Sequence, residues 1–224
     1  MTPHGELRSR DPRERYRAQV RTEIKEHAWQ QIATAGASAL SLNAIAKQMG
    51  VSGPALYRYF AGRDELITEL VRDAYRSLAD TLRTAAAEGA DLAGLAHALR
   101  GWALADPHRY FLVYGTPVPG YHAPDDTTAI SAGIMATLLD ACVPLTTEAP
   151  GVHVAPLAAH LEQHRGWAGD HPAPPAALHL AMSFWTRMHG VLSLELAGHF
   201  TGMRFDPARL FEAELDDLLA PRNP

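Results

Sequence analysis

Residues 41–60, SLNAIAKQMGVSGPALYRYF, hold the most informative pattern in this chain. Ser41 is a good N-cap, and apolar residues at helical spacing follow it, which predicts a short helix. Gly50 ends that helix, since glycine adopts the left-handed conformation at least cost. Ser52 is predicted to cap a second helix with Pro54 in its first turn, where a missing N–H does no harm. Two helices of about two turns each then form a helix-turn-helix, whose second helix fits the major groove of DNA.

This motif predicts which side chains meet DNA. Val51 is expected to be an apolar plug inside the turn, whereas the second helix turns its polar residues outward. A Gly-Pro start leaves few polar side chains there, so part of the readout is expected to be apolar contact with thymine methyl groups. The residues expected at base edges are Asn43, Gly53, Pro54 and Arg58, with phosphate as the alternative partner of Arg58. Those expected at phosphates, where they set the register, are Ser41, Lys47, Ser52, Tyr57, Tyr59 and Arg63.

The same segment resembles the DNA-binding domain of TetR-type transcriptional regulators, without gaps from Gly36 to Leu66. The residues that carry the resemblance are Ile45, Ala46, Gly50, Val51, Ser52, Leu56, Tyr57, Tyr59, Phe60, Arg63, Asp64, Glu65 and Leu66. It implies a transcriptional regulator that binds a double-stranded DNA operator. We expect a DNA-binding domain at residues 12–66 and a ligand-binding and dimerisation domain at residues 67–224.

Charge is distributed unevenly along the 224 residues. Residues 1–63 carry ten Lys or Arg and five acidic residues, whereas the remainder carries ten basic and twenty acidic residues. Positive charge is required where phosphates dock, so the first part is expected to meet DNA. The longest apolar run falls short of a membrane span, and the lone Cys142 cannot form an internal disulfide. These features predict a cytoplasmic protein with no membrane partner.

Helical periodicity continues through the rest of the chain and predicts an all-α fold. Asp-Pro pairs at residues 11–12, 106–107 and 206–207 are strong helix starts, because Asp caps and Pro suits the first turn. A long helix from Arg63 to about Ala87 would join the N-terminal head to the C-terminal domain. Further helices are expected at residues 12–35, 91–105, 125–143, 155–165, 176–199 and 206–220, with a loop at 115–124 and a break at 144–151.

The last two long helices also resemble a known domain. Trp185, His189, Gly190 and residues 194–200 are similar to the TetR-type C-terminal domain named for its Trp-His-Gly motif. The resemblance implies a small-molecule pocket and a homodimer formed by these helices. Leu192 and Leu215 are expected at the dimer interface. The residues expected to line a pocket for a small lipophilic or aromatic effector are Trp102, Tyr110, Phe111, Tyr114, Trp185 and His189. Packing in the protein core is the alternative role for His189, and for those of Trp102, Tyr110, Phe111 and Tyr114 that do not line the pocket.

Other chemistry has weaker support. No glycine-rich phosphate loop and no nucleophile elbow are present, so we expect no catalytic residues and no cofactor. His160 and His164 are four residues apart and could share a metal ion, but no third ligand has a fixed spacing, and we expect no metal site. The alternative function is a ligand-binding protein or an enzyme without a role at DNA.

Overall fold

The computed structural model describes residues 11–116, 118, 120–121, 126–146 and 155–220. Every regular element in these ranges is helical, which confirms the predicted all-α class. The helices are α1 Pro12–Ala35, α2 Leu42–Gln48, α3 Gly53–Leu56, α4 Arg63–Ala87, α5 Leu92–Ala105, α6 Pro107–Tyr114, α7 Asp126–Cys142, α8 Ala155–Gln163, α9 Pro175–Leu196 and α10 Pro207–Leu219. Predictions for residues 1–10, half of the 115–124 loop and most of the 144–151 break lie outside the described residues.

The chain divides into two compact units. Unit 1 comprises residues 1–70 together with 118–121, and unit 2 comprises residues 71–117 and 122–224. The boundary between the two units falls within the residue range of α4, between residues 70 and 71. The domain boundary predicted after Leu66 stays a prediction.

The Asp-Pro starts form as the sequence predicts. Asp11 accepts a hydrogen bond from the backbone N–H of Arg13, and Asp106 accepts one from Arg109. Asp206 does the same for Ala208 at the start of α10. Each carboxylate thus satisfies a donor that the helix itself leaves free.

The core of unit 1 joins α1 to the helix-turn-helix and the start of α4. Its fully buried side chains come from all of these helices and include Ile24, Ala28, Ile45, Leu56, Phe60, Leu66, Ile67 and Leu70. The turn between α2 and α3 is made at Gly50, whose φ of +68° favours glycine. Val51 then donates its N–H to the carbonyl of Ala46, which closes the end of α2.

Three predictions about the motif are wrong in detail. Val51 is 41% exposed, whereas Ile45 of α2 and Leu56 of α3 are the residues that are fully buried. Ser52 occupies the N-cap position of α3, but its side chain makes no capping hydrogen bond. Helix α3 has one turn instead of two, since the backbone beyond Leu56 continues as hydrogen-bonded turns to Phe60.

The core of unit 2 is built around α9. Helices α7, α8 and α10 pack against it, and its fully buried residues include Ala177, Leu178, Phe184, Met188 and Leu192. The predicted burial on two faces is therefore present. Leu192 and Leu215 are both buried within the single protomer, so the prediction that they form the dimer interface is wrong.

The segment Thr127–Leu145 has the length and composition of a membrane span, with a mean hydropathy of 1.6, contrary to the expectation that no run is long enough. It consists of α7 and the short turn after it. Ile134, Leu138 and Leu139 on this segment pack into the core of unit 2. That packing accounts for only one face of the segment, since 28% of it is buried.

Candidate functional site

The helix-turn-helix presents an exposed polar surface. Asn43 and Lys47 are exposed on α2, while Ser52 is exposed directly before α3 and Tyr57 and Arg58 are exposed directly after it. The Tyr57 side chain is 47% exposed although it is large and aromatic. An exposed tyrosine beside cationic residues can donate a hydrogen bond to phosphate.

The two helices of the motif approach each other closely at Gly53. A Cβ atom built there would lie 3.1 Å from Oδ1 of Asn43, tighter than ordinary contacts. Glycine therefore allows the Asn43 side chain to lie against the first turn of α3. The structure thus brings together two of the residues expected at base edges, and Pro54 is exposed beside Gly53.

Two residues predicted at phosphates are also engaged within unit 1. The hydroxyl of Ser41 accepts the N–H of Ala44 at 3.3 Å and so caps α2. The guanidinium of Arg63 donates to the carbonyls of Ala37 and Ser38 and lies 3.6 Å from the carboxylate of Asp64. A guanidinium has five N–H donors, so these bonds leave donors of Arg63 for phosphate.

The sequence suggested phosphate or solvent as the partner of the early arginines of α1, but it did not predict the contacts that Arg17 and Arg21 make within unit 1. Arg17 donates to the carbonyl of Arg58 at 3.3 Å, and Arg21 donates to the carbonyl of Tyr59. Both bonds satisfy backbone carbonyls in the turns that follow α3. A separation of about forty residues gives no local sequence signal for such contacts.

A second candidate site is an aromatic cluster in unit 2. It unites all six residues predicted to line a pocket, which come from α5, α6 and α9: Trp102, Tyr110, Phe111, Tyr114, Trp185 and His189. The His189 ring lies 4.1 Å from the ring of Trp185 and 4.4 Å from that of Tyr114, measured between centroids. Tyr75 of α4, which the sequence did not single out, stacks edge-on against Tyr114 at 6.0 Å.

Hydrogen bonds hold one side of this cluster. The hydroxyl of Tyr110 lies 2.9 Å from Nδ1 of His189 and 2.8 Å from the hydroxyl of Ser193. Burial lowers the pKa of His189 to about 4, so its ring is neutral at physiological pH. Ser193 was missed, although it lies one helical turn after His189 on α9.

The cluster also contains two buried polar atoms without a hydrogen-bond partner among the described residues. They are Nε2 of His189 and the hydroxyl of Tyr114. If Tyr110 donates to Nδ1 of His189, Nε2 carries the proton and lacks an acceptor. In the other tautomer Nε2 lacks a donor, so this atom is unpaired in both.

Comparison with known proteins identifies the family. A model of the tetR family of bacterial regulatory proteins matches residues 24–70. A model of the tetracyclin repressor-like C-terminal domain matches residues 92–218, more than half of the chain. The chain belongs to the TetR family. The narrower Trp-His-Gly subtype stays a prediction.

Relatives of this TetR-family protein support the same conclusion. The HTH-type transcriptional regulator Rv1816 of Mycobacterium tuberculosis is 36% identical to it, over 91% of this chain and 92% of the relative. A crystal structure of the regulatory protein SCO4313 is 72% identical, with a TM-score of 0.86, covering 94% of this chain and all of that one. A protein of unknown function from Rhodococcus sp. RHA1 shares the fold, with 21% identity, a TM-score of 0.65 and coverage of 96% and 97%. The TetR-family chain is therefore a DNA-binding transcriptional regulator.

A groove of about 770 Å³ lies elsewhere on the surface of unit 2 of this regulator. It is open to solvent and is lined by Asp73, Arg76, Ser77, Asp80, Thr81, Thr84, Ala85, Glu88 and Ala98. None of these residues belongs to the aromatic cluster. Its carboxylates and hydroxyls would leave a lipophilic molecule in contact with water, so the cluster is the better match to such a ligand.

The remaining candidates for metal or thiol chemistry have structural explanations. The rings of His160 and His164 stack at 4.2 Å, and Nδ1 of His164 lies 2.9 Å from the carbonyl of His160. No group of three or more metal-binding side chains occurs in the part of the chain that the structure describes. Cys142 is buried in the core of unit 2, and burial raises the pKa of its thiol to about 12, which disfavours the reactive thiolate.

Proposed function

We propose that this regulator is a cytoplasmic repressor without catalytic activity that binds a near-palindromic operator as a homodimer and releases it when a small effector binds. The observation that carries this proposal is the exposed helix-turn-helix surface in a segment of net positive charge. Residues 1–63 have five more basic than acidic residues, whereas the rest of the chain has ten more acidic ones. Favourable phosphate contact is therefore concentrated where the motif lies.

The DNA contacts follow from the positions of the exposed side chains. Asn43, Gly53, Pro54 and Arg58 are proposed to approach base edges, because Asn43 lies against the first turn of α3. The residues proposed to bind phosphates are Ser41, Lys47, Ser52, Tyr57, Tyr59 and Arg63. Since Ser52 makes no capping bond, its hydroxyl is available to donate to a phosphate oxygen.

The homodimer is proposed to form through the exposed faces of α9 and α10. Thr186, Gly190 and Leu194 are exposed at intervals of four residues and so share one side of α9. Leu194 is a large apolar residue with 45% of its surface exposed. Arg187 on α9 binds Asp217 on α10 at 2.6 Å, which holds the two helices together. A two-fold dimer would place two recognition helices about 34 Å apart, one turn of DNA.

The aromatic cluster is proposed as the effector site. Its walls are aromatic rings from α5, α6 and α9, which suit a lipophilic or aromatic molecule. Nε2 of His189 and the hydroxyl of Tyr114 would gain hydrogen bonds from one uncharged polar group on that molecule, such as a carbonyl or a hydroxyl. A charged group would be disfavoured, because burial already keeps His189 neutral.

The proposal is tested by selecting duplexes from a random-sequence pool with the full-length protein. We expect enrichment of one near-palindromic sequence whose half-sites are centred about one helical turn apart. A selected sequence without two-fold symmetry would contradict the homodimer. A pool that stays random would contradict the operator and favour a ligand-binding protein or enzyme with no role at DNA.

A further inference from the structure

Helix α3 is short and cannot fix its own end. It has four residues, and the backbone that follows it forms turns up to Phe60. A single turn has few internal hydrogen bonds to hold it, and the turns that follow leave the carbonyls of Arg58 and Tyr59 to be bonded by side chains from elsewhere. Side chains that read base edges must nevertheless be held to within about 0.5 Å of their working positions.

Arg21 of α1 contacts every element at this end of the motif. Its guanidinium donates to the carbonyl of Tyr59 and lies 4.1 Å from the centre of the Phe60 ring. It also pairs with the carboxylate of Glu69 at 3.5 Å and with that of Glu65 at 4.0 Å, both in the first turns of α4. The side chain is 27% exposed, so these contacts are partly shielded from solvent.

We propose that Arg21 is a positioning residue for sequence-specific DNA binding, which joins the turns that follow the recognition helix α3 to the start of α4. The planar guanidinium can donate to a carbonyl, stack on an aromatic ring and pair with carboxylates at the same time. Lysine cannot do all three, since its ammonium group is a point charge. This role rests on the proposed function. It goes beyond the proposed contacts with DNA, because Arg21 would act through its neighbours.

The role predicts a change in specificity rather than in general affinity for DNA. Non-specific binding depends on phosphate contacts and charge, which Arg21 does not need to supply if its donors face Tyr59 and α4. Loss of its contacts would loosen α3 and weaken only the base contacts. Partial unfolding or the loss of a phosphate contact would instead weaken specific and non-specific binding together.

The test compares Arg21→Ala, Arg21→Lys and wild type in binding to the duplex that wild type selects from a random pool and to a scrambled duplex. We expect Arg21→Ala to weaken binding to the selected duplex about tenfold, equal to about 1.4 kcal/mol, with binding to the scrambled duplex within about twofold. Arg21→Lys, which keeps the charge, should also lower the ratio of the affinity for the selected duplex to the affinity for the scrambled duplex. A parallel loss on both duplexes, or no loss on either, would overturn the role.

Arg17→Ala is the matched control. It removes the same charge one turn earlier on α1, where Arg17 is exposed and donates to the Arg58 carbonyl at 3.3 Å. We expect a change of less than about twofold in the ratio, since an exposed hydrogen bond contributes little. An effect as large as that of Arg21→Ala would overturn the specific role of Arg21. If wild type binds the two duplexes equally well, the proposed DNA function is overturned as well. If wild type prefers the selected duplex and Arg21→Ala keeps the same preference, only the positioning role is overturned.

Discussion

Tyr57 offers a direct test of one predicted phosphate contact. Its side chain is 47% exposed on the helix-turn-helix, and Tyr57→Phe removes only the hydroxyl. We predict that binding weakens by a similar factor, roughly fivefold or less, for the selected duplex and for a scrambled one, since one hydrogen bond contributes about 1 kcal/mol. Fluorescence anisotropy with both duplexes measures this. A change in sequence preference would show that Tyr57 reads bases instead.

His189 should make stability depend on pH. In the unfolded chain its pKa is ordinary, near 6.5, and in the folded protein burial lowers it to about 4. The unfolded state therefore binds the proton more readily, and stability falls as pH decreases from about 6.5 to about 4, by roughly 3 kcal/mol for this residue at most. Above about pH 6.5 His189 is neutral in both the folded and the unfolded state, so it causes no loss of stability.

Denaturant unfolding at several pH values checks this, with His189→Gln as the comparison. Gln does not titrate, so we predict a smaller loss of stability for the variant over the same pH interval. All other ionisable groups are the same in both proteins, so their contributions cancel in the difference. Identical pH profiles would contradict the lowered pKa of His189.

The sequence predicted the structural roles of some individual residues but not of others. The Asp-Pro caps were predictable because the carboxylate bonds its own helix two or three residues away. Val51 and Ser52 were not, because the direction of a turn side chain depends on how tightly α2 and α3 close upon each other. All six aromatic-cluster residues meet, but the bond of Tyr110 to His189 spans 79 positions and has no local signal.

The exposed face of α9 can be tested with a glycine substitution. A Cβ on Gly190 would meet no atom within 4 Å in the protomer, so Gly190→Arg should leave the fold intact. If this face forms the dimer, the long charged side chain blocks close approach, and we predict a monomer that loses at least tenfold in operator affinity.

Gly101→Arg on α5 is the control, since Gly101 is also exposed and its Cβ would meet open space. Analytical ultracentrifugation of both variants gives the oligomeric state, and we expect Gly101→Arg to stay dimeric. If Gly190→Arg remains dimeric, the dimer interface does not lie on this face of α9. Leu192→Glu would be uninformative, because Leu192 is buried within the protomer.

Helices were predictable where glycine and proline punctuate the chain. The predicted bounds of α1 and α4 agree with the structure, since both begin and end at local signals. The length of α3 was not predictable, because the backbone continues beyond it as turns whose carbonyls are bonded by Arg17 and Arg21 of a distant helix. The periodicity of α9 showed burial on two faces but did not distinguish the protomer core from a partner.

In the complete regulator, binding of the effector must weaken binding of the operator, and binding of the operator must weaken binding of the effector. A ligand releases DNA only if it binds the DNA-incompetent state more tightly. We predict that a ligand identified by mass spectrometry of the purified protein binds the operator complex about 5- to 150-fold more weakly than the free dimer, by linkage. Calorimetric titration with and without operator measures this ratio. Equal affinities would contradict a regulatory role for the ligand.

Sequence-specific DNA binding is tested most directly by the affinity for the selected duplex and a scrambled duplex over a range of salt concentrations. We predict a steep decrease in both affinities with salt, because the positive charge of residues 1–63 replaces counterions on phosphates. We also predict at least about a thousandfold preference for the selected duplex at physiological salt. Equal affinities for the two duplexes at every salt concentration would contradict the identification of the helix-turn-helix as an operator-reading element.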